Sequence, residues 1–140
     1  MKKIITHSEA ETNSLGAKIG KELKPGSVVA LYGELGAGKT VFTKGLSRGL
    51  GVSDRLLSPT YVLMREYNLP TLKGKLYHLD LYRLTSAKDL KSTNLEEIIK
   101  QGTNVVVIEW AEKAKGMLPK DVVTVKFKVL SEGEREITVS

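Results

Sequence analysis

Apolar positions recur with two different periods along the chain, and each change of period marks a new element. Leu15, Ile19 and Leu23 stand four apart behind Ser8-Glu9-Ala10-Glu11. A serine followed three residues on by a glutamate can satisfy the free N–H groups of a first helical turn. A helix is therefore predicted from Ser8, stopped by Pro25-Gly26. Val28 to Tyr32 is short, nearly all apolar and bounded by glycines, which predicts a strand buried on both faces of a parallel sheet. Phe42, Leu46 and Leu50 return to helical spacing, with Gly51 as the stop. Tyr61 to Tyr67 and Lys75 to Leu81 are predicted strands, joined through the turn-rich segment Asn68 to Gly74 as an antiparallel hairpin. Ser86 to Gln101 is predicted mostly helical and interrupted at Thr93-Asn94, with Leu95, Ile98 and Ile99 facing the core and Gly102 as the end. Val105 to Ile108 is another apolar strand, and Val122 to Val129 and Arg135 to Val139 form a closing hairpin. Helices alternating with strands predict one α/β domain over residues 1–140, with a mixed, mostly parallel sheet flanked by helices and edged by antiparallel hairpins.

Composition narrows the chemistry. The chain has no cysteine, which excludes disulfides and thiolate metal sites and fits a reducing cytoplasm. The opening residues carry two lysines but no long apolar run, so no signal peptide is expected. No apolar run approaches the ~20 residues of a membrane helix, so a cytoplasmic protein without a membrane partner is expected. The net charge of +6 fits either a lysine-rich solvated surface or attraction of a phosphate-rich partner. No basic run interleaved with aromatics marks a nucleic-acid surface, and DNA is not an expected partner.

Gly33-Glu34-Leu35-Gly36-Ala37-Gly38-Lys39-Thr40 matches the G-x-x-x-x-G-K-[ST] pattern of a P-loop, between a predicted strand and a predicted helix. Glycines let such a backbone curl with its N–H groups inward, and the helix start adds further unpaired donors and the positive end of a dipole. Glu34, Leu35, Gly36, Ala37, Gly38, Lys39, Thr40 and Val41 are thus the expected phosphate-binding span for ATP, with Lys39 reaching the β- and γ-phosphates and the Thr40 hydroxyl binding Mg2+. A Rossmann reading needs a G-x-G-x-x-G that these glycines do not form.

A P-loop site also needs a carboxylate at the end of a neighbouring strand. Two qualify: Glu109, closing the apolar run Val105 to Ile108, and Asp80, closing Leu76 to Leu79. The apolar pattern ranks Glu109 first as the magnesium ligand, with Asp80 as a second ligand or the group that orients the attacking water. From the residues alone, His78 reads as a satisfied structural histidine, Trp110 as packing, Thr60 as a turn residue after Pro59, and Lys44 and Arg48 as a solvated helix face.

The P-loop together with Ser58-Pro59-Thr60-Tyr61, Tyr77-His78-Leu79-Asp80-Leu81-Tyr82-Arg83 and Ile108-Glu109-Trp110 resembles, in order and spacing, the TsaE (YjeE) family, across nearly the whole chain. The resemblance implies a P-loop α/β fold and an ATPase that helps make threonylcarbamoyladenosine at position 37 of tRNA. Its implied partner is a TsaB–TsaD pair, through which tRNA is met indirectly. It further implies Thr40 and Glu109 as magnesium ligands, Asp80 as a metal-side or catalytic acid, and Ser58-Pro59-Thr60 as a switch near the γ-phosphate, with Thr60 its sensor. Trp110 and Arg135 are implied beside the nucleotide, and Thr12 near the adenine. Two other readings of a P-loop remain open on the residues: a small metabolite kinase, which needs an acceptor pocket and a lid, and a nucleotide-gated binding module with negligible turnover.

Overall fold

The computed structural model describes residues 1–53, 56 and 63–140. In chain order the elements are β1 (Lys2–Thr6), α1 (Glu9–Glu22), β2 (Val28–Tyr32), α2 (Lys39–Gly49), β3 (Met64–Asn68), β4 (Lys75–Asp80), α3 (Ala87–Lys91), α4 (Leu95–Lys100), β5 (Val105–Glu109), a 3-10 segment (Ala111–Met117), β6 (Val123–Ser131) and β7 (Glu134–Val139). The strands form one seven-stranded sheet in the order β1-β7-β6-β2-β5-β4-β3. Its centre is parallel, with β2 between β5 and β6 and β4 beside β5; both margins are antiparallel. This is the mixed sheet that the strand patterns predict.

Two elements depart from the sequence expectation. β1 is an added edge strand on β7, and its exposed lysines give it no apolar pattern. Charged side chains suit an edge, where they discourage pairing with another chain. The 3-10 segment after β5 replaces an unassigned stretch, and Trp110, with φ of 58°, turns the chain into it. The interruption predicted at Thr93-Asn94 is present: Asn94 adopts the left-handed conformation between α3 and α4, which an asparagine tolerates better than most residues. The predicted Tyr61 strand start lies outside the described residues; β3 is described from Met64.

One core cluster, including Val29, Leu31, Phe42, Leu46, Leu76, Val105 and Val107, fills the sheet face beneath α1 and α2. Another, including Ala30, Leu79, Leu95, Ile98 and Ile108, fills the opposite face. α1 meets α2 through a different surface from the one its apolar spacing suggests. Leu15, Ile19 and Leu23 pack partly buried against the core, whereas the fully buried positions are Thr12, Gly16, Ala17 and Gly20. A Cβ at Gly16 would stand 2.2 Å from the Phe42 carbonyl oxygen, and one at Gly20 would stand 2.3 Å from that of Leu46. In the other direction, a Cβ at Gly45 would stand 1.9 Å from the Asn13 oxygen, and one at Gly49 would stand 2.1 Å from that of Ala17. The contacts climb both helices together, so the helices lie parallel with backbone against backbone. Among the described residues, no helix is long and apolar enough to cross a membrane.

Candidate functional site

β2, β5 and β4 run parallel, so their carboxyl ends lie at one edge of the sheet, where α2 begins. Ligand sites of open α/β sheets fall at this crevice. β2 runs into the loop Gly33 to Gly38. There Gly36 and Gly38 hold φ of +79° and +102°, a conformation that strains any residue with a Cβ. Ser8 caps α1 by accepting from the Glu11 N–H, and Ser86 caps α3 by accepting from the Asp89 N–H. α2 differs: its N-cap is Gly38, with no side-chain hydrogen bond to its first turn. The first N–H groups of a helix have no partner within it, so this end is left to an anion, as a phosphate requires.

Lys39 begins α2 and is almost fully buried. Its Nζ donates to the carbonyls of Gly33 and Glu34 and lies 4.2 Å from the centroid of the Trp110 ring. Burial pulls its pKa below the ordinary lysine range; Glu109, Glu112, Asp80 and Glu34 act in the opposite direction. The ammonium thus stands in a ring of acceptors and carboxylates, held by the loop it spans.

Thr40, one residue on, donates its hydroxyl to Glu109 Oε1 at 3.0 Å. The second oxygen of Glu109 lies 2.6 Å from His78 Nε2, and both side chains are buried. Asp80 occupies the register position beside Glu109 on the neighbouring parallel strand. Its Oδ1 accepts from the Tyr82 N–H at 3.0 Å. Burial raises the Asp80 pKa, and Glu109 adds to the rise; the Tyr82 N–H, His78 and Lys39 offset part of it. Among the described residues, no group of three acidic or histidine side chains could hold a metal by protein ligands alone. The Thr40 hydroxyl and the Glu109 carboxylate are the oxygen groups that meet at the start of α2.

A cavity of about 230 Å³ lies over these groups, lined by Ser8, Glu9, Thr12, Leu35, Gly36, Gly38, Lys39, Thr40, Val41, Asp80, Tyr82, Glu109, Trp110, Gly133 and Arg135. Nearly all the residues expected from the sequence therefore meet in one place. Glu34 and Ala37 line a separate hollow with Gly33, Trp110, Glu112 and Phe127. Thr60, with the rest of Ser58-Pro59-Thr60, lies outside the described residues. Thr12 sits at the wall, its hydroxyl 2.7 Å from that of Thr6. Trp110 also packs its ring on Tyr82, with centroids 4.9 Å apart. Arg135 reaches from β7 to donate to the carbonyls of Gly36, Ser131 and Glu134, which ties the closing hairpin to the P-loop.

Four residues escape the sequence patterns. Ser8 and Glu9 form a helix start, and nothing in a capping box reveals that it overlooks a cavity. Tyr82 lies in a quoted motif, but its contact with Trp110 joins residues distant in the chain. His78 departs from the expectation of a satisfied histidine, because its Nδ1 is buried without a hydrogen-bond partner among the described residues. Lys44 and Arg48 are exposed, as expected of a solvated face, and Arg48 donates to Asn13 Oδ1.

A P-loop that opens an otherwise uncapped helix, with a strand-end carboxylate on its threonine, defines a P-loop NTPase-like α/β protein. Within that class the chain belongs to the TsaE family: the family model described as threonylcarbamoyl adenosine biosynthesis protein TsaE matches residues 6–137. A relative named tRNA threonylcarbamoyladenosine biosynthesis protein TsaE, from Treponema pallidum, is 43% identical over 97% of this chain and 98% of its own. A protein of the same name from Bacillus subtilis is 38% identical over 95% of this chain and 81% of its own. The crystal structure of Bacillus subtilis YdiB is similar with a TM-score of 0.78 at 35% identity, covering 99% of this chain and 83% of that one.

Proposed function

We propose that the chain, acting as a single domain, is the magnesium-dependent ATPase subunit of the machinery that makes threonylcarbamoyladenosine at position 37 of tRNA, working with a TsaB–TsaD-like pair. The family assignment supports the pathway. The observation that carries the chemistry is the convergence of Lys39, the Thr40–Glu109 pair and Asp80 on the uncapped start of α2.

In this reading the loop N–H groups and the first turn of α2 hold the phosphates. Lys39 exchanges the carbonyls of Gly33 and Glu34 for the β- and γ-oxygens. Thr40 and Glu109 hold Mg2+, whose charge, when it is bound, offsets that developing on the phosphate oxygens. Asp80, half-buried beside Glu109 and inclined by burial to hold a proton, orients the attacking water. Trp110 and Arg135 border the nucleotide, Thr12 stands towards the base, and Thr60 senses the γ-phosphate. Little covalent work falls to the protein, because phosphoryl transfer is catalysed by position and charge.

The test has two arms. Purified chain is assayed for phosphate release from Mg-ATP, and cells lacking the chain are complemented and their tRNA analysed for threonylcarbamoyladenosine. The wild-type chain is expected to release phosphate and restore the modification, and Lys39→Ala to do neither. A Lys39→Ala chain that restores the modification as well as wild type overturns the ATPase assignment.

A further inference from the structure

We propose that His78 is a positioning residue of the hydrolytic site, fixing the Glu109 carboxylate in the rotamer that keeps its other oxygen on Thr40; this rests on the ATPase reading above. A carboxylate that is only 2% exposed has lost its water, and it persists ionised only where donors replace that water. Glu109 has two such partners, one on each oxygen: the Thr40 hydroxyl at 3.0 Å and His78 Nε2 at 2.6 Å. An ionised carboxylate only accepts, so the proton in the second contact sits on Nε2. The other ring nitrogen, Nδ1, is buried and has no hydrogen-bond partner among the described residues. Among the described residues, the one side-chain hydrogen bond of His78 points at Glu109, so the ring is not a node of a wider polar network there.

The placement of the ring comes from the sheet. His78 lies mid-strand in β4, between Arg65 of β3 and Val107 of β5 in register, and it is fully buried. Leu76, Val105 and Val107 fill the same face beside it. The imidazole is therefore anchored by packing, and it presents a single donor to a carboxylate at the end of the next strand. Thr40, partly buried at the cavity wall, is placed by the first turn of α2. With both neighbours on rigid elements, Glu109 has its two oxygens assigned before any ligand arrives, the preorganisation a phosphate-linked metal site needs. Without the Nε2 donor, one oxygen of a buried carboxylate is left unpaired, and Glu109 is free to turn towards the Lys39 ammonium.

His78→Gln keeps an amide N–H close to the position of Nε2, and His78→Leu keeps bulk and removes the donor. Three readouts separate positioning from mere structure. Nitrogen-15 NMR of the metal-free, nucleotide-free wild type is expected to show the proton on Nε2 and a bare Nδ1, with the Nε2 signal displaced in Glu109→Gln. In ADP titrations with and without magnesium, His78→Leu is expected to lose about tenfold or more of the affinity gained from magnesium, and His78→Gln to keep most of it. In Mg-ATP turnover His78→Leu is expected to lose about tenfold in kcat with KM for ATP little changed, and His78→Gln to recover most of the loss. Melting curves place both variants on a common scale of stability. A proton on Nδ1, a His78→Leu protein with wild-type magnesium response, or two variants that fail alike in proportion to their melting temperatures would overturn the proposal. A wild-type chain that binds Mg-ADP but never hydrolyses ATP sinks the ATPase reading instead, and the NMR and ADP titrations still decide the role of His78.

Discussion

Side chains in the cavity compete for charge and for water, and that competition sets their expected behaviour. Asp80 has its pKa raised in the fold, chiefly by burial. A carboxyl raised above its unfolded value binds more protons in the folded chain between the two pKa values, so stability falls as pH rises through that window. Ionised Asp80 therefore costs stability at neutral pH. Asp80→Asn is expected to raise the melting temperature at pH 7 while impairing turnover, with the gain shrinking as pH drops into the ordinary carboxyl range. Calorimetry at pH 7 and pH 4 checks the sign. Glu109 differs because its oxygens already take Thr40 and His78. Glu109→Gln is expected to weaken the magnesium dependence of turnover more than Asp80→Asn does, and a magnesium titration of phosphate release on both variants ranks them. Much of this site is legible in the chain: the P-loop spacing names Lys39 and Thr40, and a strand-end carboxylate names Glu109. The contacts of His78 and Tyr82 are not legible, because they depend on register between strands and on where a ring falls across a turn.

At the scale of elements, the strands and caps follow local chemistry and the helix crossing does not. Ser8 caps α1 as its capping box predicts, and β5 and all of β2 but Tyr32 are buried as their apolar runs predict. The α1–α2 contact is carried by glycines, which hydropathy treats as blank. Only the approach in space of Gly16 and Gly20 to the carbonyls of Phe42 and Leu46, and of Gly45 and Gly49 to those of Asn13 and Ala17, reveals that carbonyl oxygens stand where methyl groups would go. This gives a test of opposite sign to intrinsic propensity. In an isolated helix, glycine to alanine gains about 1 kcal/mol. Gly45→Ala is here expected to destabilise by about 1–3 kcal/mol, the usual range for overpacking a tight interior, read as a lower urea midpoint at unchanged slope. β1 is the converse case: its lysine-rich sequence lacks a strand pattern, and it forms because β7 offers it an edge.

For the whole molecule, the distribution of arginine matters most. P-loop hydrolases gain roughly 10³–10⁵ in rate from an arginine on the γ-phosphate, supplied from within or by a partner. Among the described residues the only arginine lining the cavity is Arg135, and its guanidinium is committed to three backbone carbonyls. The isolated chain is therefore expected to hydrolyse ATP slowly, and a TsaB–TsaD-like pair to raise turnover by at least about tenfold, a modest share of that range. Steady-state phosphate release at saturating Mg-ATP, with and without the pair, is the comparison. A fast chain alone, or one indifferent to the pair, argues for a self-sufficient hydrolase.

The glycine crossing has a mechanical consequence. Helices that touch through long side chains can slide, because rotamers absorb an ångström of travel. α1 and α2 touch through main chain, which has no rotamers, so they behave as one rail bolted to the sheet. In the proposed ATPase cycle a phosphate would draw Lys39 off the carbonyls of Gly33 and Glu34, and that rail gives no slack. The displacement has to be taken up by the loop itself and transmitted through the Arg135–Gly36 tether to the β6–β7 hairpin. Nucleotide state would then be legible at the β6–β7 hairpin, whose Gly133 and Arg135 line the cavity, and spin labels at exposed Lys128 and Glu132 are placed to read it.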